Sequence, residues 1–301
     1  MSDISQSSSL LSEILPFVQP AISTAVGAVL ATLFMRKNIS KAEFEKLKQA
    51  KFADIANRLL EDGHMTYLEY YKCKNFTEVA EKADKVFPKI AQPKQHEENN
   101  TEDKPFNIDW FIRFYESAGN ISDDDMQNLW ARLLAGEVSS PGKFSLRAMD
   151  TLRNMSKEEA ECLMEMAKWT ISKNKIDFLC SNTIMKHQLF QKAIVLENSG
   201  ILNLDSSRTV NGIAKPDAFL LAEGNLCIKA NIEVEAHFKY SVYFYTQVGV
   251  ELLKLIDQPP SDECILECFR AIQKKLSHLN LTIHNVLNRD GDTLTIQVNP
   301  I

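Results

Sequence analysis

The sequence predicts a mainly α-helical protein with a smaller α+β part. Its expected pieces are an N-terminal membrane-type helix, a helical module, a winged-helix-like domain and a C-terminal helix plus β-hairpin. Three observations carry this expectation. Between helix-start signals, apolar residues recur at three- and four-residue steps from about residue 40 to 160. Beyond 160 they give way to short alternating runs of the kind that strands make. Near the start, Ile14 to Met35 runs for 22 residues without a charge.

The first division is 1–36, a tail and a transmembrane-type helix. The uncharged run is long enough to reach across a bilayer core, although Pro16 and Pro20 leave only Ala21–Met35 free of proline. No basic residue precedes it, which does not fit a cleaved signal peptide. Arg36, Lys37 and Lys41 follow it, so the positive-inside rule places the rest of the chain in the cytoplasm. The expected location is therefore the inner membrane, single-pass, and the alternative is a soluble cytoplasmic protein whose N-terminal helix packs on the body.

Residues 37–90 read as a helical stalk. Ser40 caps a helix carrying Phe44, Leu47, Phe52, Ile55 and Leu59, and Gly63 ends it. A second helix is expected from Thr66 to Phe87, stopped by Pro88, with Tyr67, Tyr70 and Tyr71 read as packing residues. Residues 91–105, AQPKQHEENNTEDKP, have no large apolar side chain and form a linker.

A helical module spans 106–158. Asp109 is the expected N-cap of its first helix, with Phe106, Trp110 and Phe114 at four-residue steps. Ser122 caps the next, Asp123, Asp124 and Asp125 favour its positive end, and Met126, Leu129, Trp130, Leu133 and Leu134 form a buried stripe. Gly136 is its expected C-cap. After SSPGK, Ser145 starts a third helix, and Ser156 with Glu159 makes a capping box for a fourth.

Residues 159–258 give the order helix, helix, strand pair, helix, which is that of a winged helix. Its second helix, 183–198, closes at Ser199-Gly200, the strands fall within 219–245, and Thr246 caps the last helix. Residues 259–301 supply a helix at 262–276 and a hairpin turning at Asp290-Gly291.

Composition narrows the function. With 301 residues there is room for two modest domains, and 45% hydrophobic with 25% charged residues is ordinary for a folded protein. A net charge of −6 argues against bulk attraction to nucleic acid or anionic lipid. The six cysteines read as free thiols in a reducing compartment rather than as a disulfide framework.

The stretches DWFIRF, ISDDDMQNLWARLLAGE, PGKFSLR and LRNMSKEEA resemble an uncharacterised bacterial family known as a domain of unknown function. They are distantly similar to the alpha component of abortive-infection systems, with Met155 standing where that phrase has leucine. LENSGIL and YTQVGVELL extend the resemblance. It implies a bacterial cytoplasmic protein, often membrane-anchored, with phage defence as a possible role, and brings no catalytic residues. The residues singled out as its structural motif are Trp110, Phe114, Trp130, Arg132, Gly136, Glu137, Pro141 and Arg147.

Motifs that carry chemistry are absent or weak. Gly136 to Phe144 approaches a phosphate-binding loop but has five residues between its glycines and Phe144 after the lysine. Cys264, Cys268, His278 and His284 could ligate zinc, but C-x3-C on a helix is unlike common zinc sites and buried thiols are the simpler reading. Arg132 and Arg147 flank the Gly136 turn with Glu137 between them, expected as an ion pair or, alternatively, an anion site. No catalytic, cofactor-binding or metal-ligating residue is assigned. The leading expectation is a non-enzymatic, membrane-anchored interaction or sensor protein with a protein partner or a second copy of itself. The alternative is a winged-helix nucleic-acid-binding regulator, and an unrecognised enzyme stands third. No small-molecule substrate or cofactor is expected.

Overall fold

The computed structural model describes residues 66–90, 107–173, 176–185, 188–205, 207–257, 260–290 and 293–301. The chain divides into two compact units, Met1–Arg153 and Asn154–Ile301.

Among its described residues the first unit is helical. It comprises α1 (Tyr67–Ile90), α2 (Ile108–Ala118), α3 (Asp124–Ser139) and α4 (Leu146–Asn154), the last of which ends at the division. α1 packs along α3, and α2 touches both. Phe76 of α1 meets Phe111, Phe114 and Tyr115 of α2 edge-on. Polar groups close the same interface. Asn75 Nδ2 donates to Gly119 O, and Gln127 Nε2 donates to Glu78 Oε2. Lys82 Nζ donates to Gln127 and Asp124, and its hydrogen bond holds the Asp124 carboxyl below the usual carboxylate range. The helix expected to stop at Pro88 runs on to Ile90. Tyr67 and Tyr71, expected to pack, are exposed on its first turns.

The second unit is mixed α/β. Helix α5 (Lys157–Ala167) leads into β1 (Thr170–Lys173) and β2 (Ile176–Cys180). Then come α6 (Ser181–Ile184), α7 (Gln188–Asn198), β3 (Leu202–Asn203), β4 (Thr209–Ala214), β5 (Phe219–Glu223), β6 (Leu226–Ala230) and β7 (Ala236–Tyr245). Helices α8 (Gln247–Leu253) and α9 (Asp262–Lys275) precede β8 (Leu281–Asp290) and β9 (Thr293–Ile296). Two curled antiparallel sheets result. In one, β7 takes β2 on one side and β3 then β4 in succession, with β1 beyond β2. The other runs β5-β6-β8-β9. Phe238, Tyr240 and Val242 of β7 share one core with Ile228 of β6, Ile283 of β8 and Ile265, Phe269 and Ile272 of α9.

The expected mainly α class is therefore corrected to mixed α/β, and the winged-helix-like domain is replaced by two sheets. The order helix, helix, strand pair, helix was a reading of local pattern. It passed over β1, which begins at Thr170, directly after the turn that ends α5. It also passed over β4, where Asn211, Gly212 and Ala214 dilute the strand-forming Thr209, Val210 and Ile213 and the pairing with β7 holds the strand. The expected C-terminal hairpin is present as β8 with β9, but it does not stand apart, because β8 also pairs along β6 in the four-stranded sheet. Among the described residues no helix is long and apolar enough to cross a membrane, and Ile14–Met35 lies outside them.

Where α7 ends, Gly200 adopts φ +70°, Gly200 N donates to Glu197 O and Ile201 N to Leu196 O. This is a Schellman closure, and glycine avoids the steric cost of the left-handed backbone. It presents two carbonyls to α8. Thr246 N donates to Ile201 O and Thr246 Oγ1 to Gly200 O, while Thr246 caps α8 by accepting from Gly249 N. A Cβ on Gly249 would lie 2.2 Å from Ile201 O. The two outlying stretches of the sequence resemblance, LENSGIL and YTQVGVELL, thus meet in one backbone clamp.

Helix propensity alone gives Ala an advantage of about 1 kcal/mol over Gly. Gly249→Ala should nevertheless destabilise the chain by about 1–3 kcal/mol, because the added methyl meets backbone that cannot rotate away. Denaturant unfolding followed by circular dichroism reads this directly, and a neutral or stabilised variant would refute the clamp.

Candidate interaction site

The singled-out motif residues converge on the turn between α3 and α4. Helix α3 is set by Asp123, whose carboxylate accepts from Asp125 N and Met126 N, rather than by Ser122. Asn107, not Asp109, caps α2 by accepting from Trp110 N. One cap lies one residue after the expected side chain and the other two residues before it, a choice that local sequence does not fix.

Trp110 stacks on Phe114 at 5.3 Å between ring centroids, and Phe114 meets Trp130 at 5.4 Å. Trp130 is fully buried on α3, as its stripe predicts. Trp110 Nε1 reaches out of this aromatic stack and donates to Phe144 O at 3.1 Å. The Phe144 ring lies over Gly136, where a Cβ would stand 2.6 Å from Cε2. Gly136 is thus an interior helix residue that admits an aromatic ring, not the expected C-cap, and α3 continues to Ser139.

One residue on, the Glu137 side chain is 1% exposed. Its Oε1 accepts from Gly142 N at 2.6 Å and its Oε2 from Phe144 N at 3.0 Å. Between these contacts the chain makes a turn in which Lys143 N donates to Ser140 O. Pro141 and Gly142 are its central residues, and Gly142 has φ 82° as a type II turn requires. Phe144 is therefore fixed by its N–H, its carbonyl and its ring. Ser145 Oγ accepts from Ala148 N and starts α4, as expected. Arg132 is half-buried on α3, and Arg147 is exposed on the first turn of α4.

This geometry accounts for the near-match to a phosphate loop. Backbone amides do converge on an anion, but the anion is the chain's own carboxylate. Residue pattern singled out Glu137 but not its partners, because an acid that accepts from amides five and seven residues ahead has no signature short of the folded turn. Phe144 was the residue undervalued, although a glycine eight residues before an aromatic hinted at close packing.

The other chemical candidates are not brought together. His278 Nε2 lies against His237 O, whereas His284 contacts Thr282 Oγ1 and Gln297 O and Cys268 is in the core. Among the described residues no group of three or more His, Cys, Asp or Glu is placed to hold a metal ion. Lys186 and His187, within the helix expected over 183–198, lie outside the described residues.

A family described as "Protein of unknown function (DUF2806)" matches residues 77–267. The chain belongs to this family. The match begins within α1 and ends within α9, so it takes in both the Glu137 turn and the Gly200–Gly249 clamp. No curated protein and no solved structure matches the chain.

Removing the buried acceptor tests the turn. Glu137→Ala leaves two amide N–H groups without a partner, each costing about 1–3 kcal/mol when buried. Gly142 N is partly open to water, so the total should sit toward the lower end, at about 2–4 kcal/mol. A loss below about 1 kcal/mol in chemical denaturation would mean that Glu137 does not hold the loop.

Proposed function

We propose that this chain is a non-enzymatic interaction protein that offers the loop 140–147 to a protein partner. The observation behind the reading is the cost of Glu137. Burying a carboxylate is unfavourable unless it is hydrogen-bonded, and a plain helix–helix turn closes without one. Here the charge fixes the shape of a surface loop from beneath. A loop already held in one shape loses less entropy on binding. Its outer side carries exposed Gly142, Ser145 and Arg147, with Lys143 half-buried beside the Phe144 ring at 5.8 Å. Two cations on a rigid turn favour an acidic partner surface.

The reading extends to location. The uncharged run Ile14–Met35, followed by Arg36 and Lys37, supports tethering at the inner membrane with the loop in the cytoplasm. The distant likeness to abortive-infection proteins supports phage defence as the setting. The nucleic-acid alternative loses its carrier with the winged helix, since α7 packs against α5 and offers Lys192 as its one cation.

Site-specific photocrosslinking in cells tests the proposal. A photoreactive residue at Arg147 should give one discrete protein adduct, absent when it is placed at exposed Arg270 on α9. Introducing Glu137→Ala should abolish the adduct. Equal labelling at both positions, or none at Arg147, would sink the interaction reading.

A further inference from the structure

Strand β4 has one edge on β7 and the other open. It pairs with β7 from Thr209–Ser241 to Ala214–Ala236 without a bulge. Val242 N donates to Arg208 O just before the strand, which sets the alternation. Val210, Gly212 and Ala214 therefore turn their backbone N–H and C=O toward β7, and Thr209, Asn211 and Ile213 turn theirs away. His237, opposite Ile213, keeps to the same alternation, since its carbonyl faces away from β4 and lies against His278 Nε2. Among the described residues the outward backbone groups of Thr209, Asn211 and Ile213 meet no hydrogen-bond partner.

The other outer strands are guarded. β1 and β5 are tied to each other, Ser172 N donating to Glu223 Oε2 at 2.8 Å and Lys173 Nζ to Leu220 O at 2.9 Å. β9 has four residues and faces a bulge in β8 between Val286 and Asn288, and β3 has two residues. β4 has six residues, and its TVNGIA carries neither the charge nor the proline that blunts an edge. Ile213 is 51% exposed there.

We propose that β4 pairs antiparallel with β4 of a second copy of this chain, about a two-fold axis at Asn211, so that the two β7-centred sheets become one. A foreign strand needs only the open backbone. Self-pairing also requires that each side chain suit its counterpart across the axis, and these do. The axis sets Asn211 against Asn211 and Thr209 against Ile213, so every outward residue meets an outward residue, with about six backbone hydrogen bonds. On the core side Val210 falls opposite Gly212, a position without a side chain because the Phe238 ring lies over it. No like charges meet, since Arg208 comes opposite Ala214 and Lys215 opposite Ser207. Lys239, the neighbour of Asn211 on β7, stands three strand spacings from its counterpart, about 14 Å, beyond the screening length at physiological salt. The loop 140–147 proposed above as an interaction site belongs to the other unit, so the dimer carries two copies of it.

The experiment uses the full chain. Asn211→Cys is mildly oxidised and run on a non-reducing gel. The expected result is a chain-to-chain cross-link that dithiothreitol reverses, because Cα atoms paired at the axis stand about 5.5 Å apart, within disulfide reach. Lys239→Cys, exposed on the same face but about 14 Å from its counterpart, should give less than about a tenth of that product. Asn211→Lys and Asn211→Glu each set like charges against each other at the axis. Each alone should raise the dimer Kd about fivefold or more at low salt, read by analytical ultracentrifugation, and an equal mixture of the two should restore it. Asn211 is exposed, so both variants should melt with the parent. Equal cross-linking at 211 and 239, none at 211, or a mixture no better associated than its components would each overturn the proposal. So would a mixed disulfide with a different protein in lysate in place of the chain-to-chain product, which would assign the edge to a foreign strand.

Discussion

Pairing along both edges of β7 is the constraint on which the second unit depends. β4 pairs along Ala236–Ser241, and β2 and β3 pair with Val242–Tyr245, so all three take their registers from it. Its alternation does a second job. Phe238, Tyr240 and Val242 enter the core under α9, while Tyr243 and Tyr245 are buried on the other face. Tyr245 OH finds Thr170 Oγ1 at 2.9 Å, which ties the start of β1 to the end of β7. A strand buried on both faces at one end tolerates no slip of register, since a one-residue shift would exchange the two sets of side chains.

The first unit relies on a different device. Its aromatic stack orders Trp110, and Trp110 together with Glu137 orders the turn through Phe144. Polar groups there act as positioning elements at the edge of a core, and their hydrogen bonds offset the cost of their burial. The Lys82–Gln127–Glu78 chain does the same between α1 and α3.

What could be read from the sequence was what is local. The Ser156–Glu159 capping box, the Thr246 cap, the Ser145 start of α4 and the Gly200 stop all stand where residue type within one turn placed them. Trp130 was legible as core from helical spacing. What failed depended on partners far along the chain. TVNGIA became β4 because β7 waits opposite, while Asn211 and Gly212 interrupt the strand-forming Thr209, Val210 and Ile213. Gly136 looked like a helix end because glycine usually is, and only the Phe144 ring shows why it is not. The tyrosines opening α1 looked like packing residues because aromatic clusters on helices usually are, yet Tyr67 is 80% exposed.

The position of β7 in the chain has a consequence for synthesis. Every strand it pairs with lies upstream of it. During translation β1 and β2 can close on each other, as can β5 and β6, but β2 has no second neighbour and β4 none at all until Tyr245 has emerged. At about 5–20 residues per second that interval lasts several seconds. α9, which covers the apolar face of both sheets, arrives later still. The nascent chain thus carries open strand edges and bare Phe and Tyr side chains through a window set by ribosome speed rather than by folding rate. Chaperone binding in the cell would be concentrated in that window.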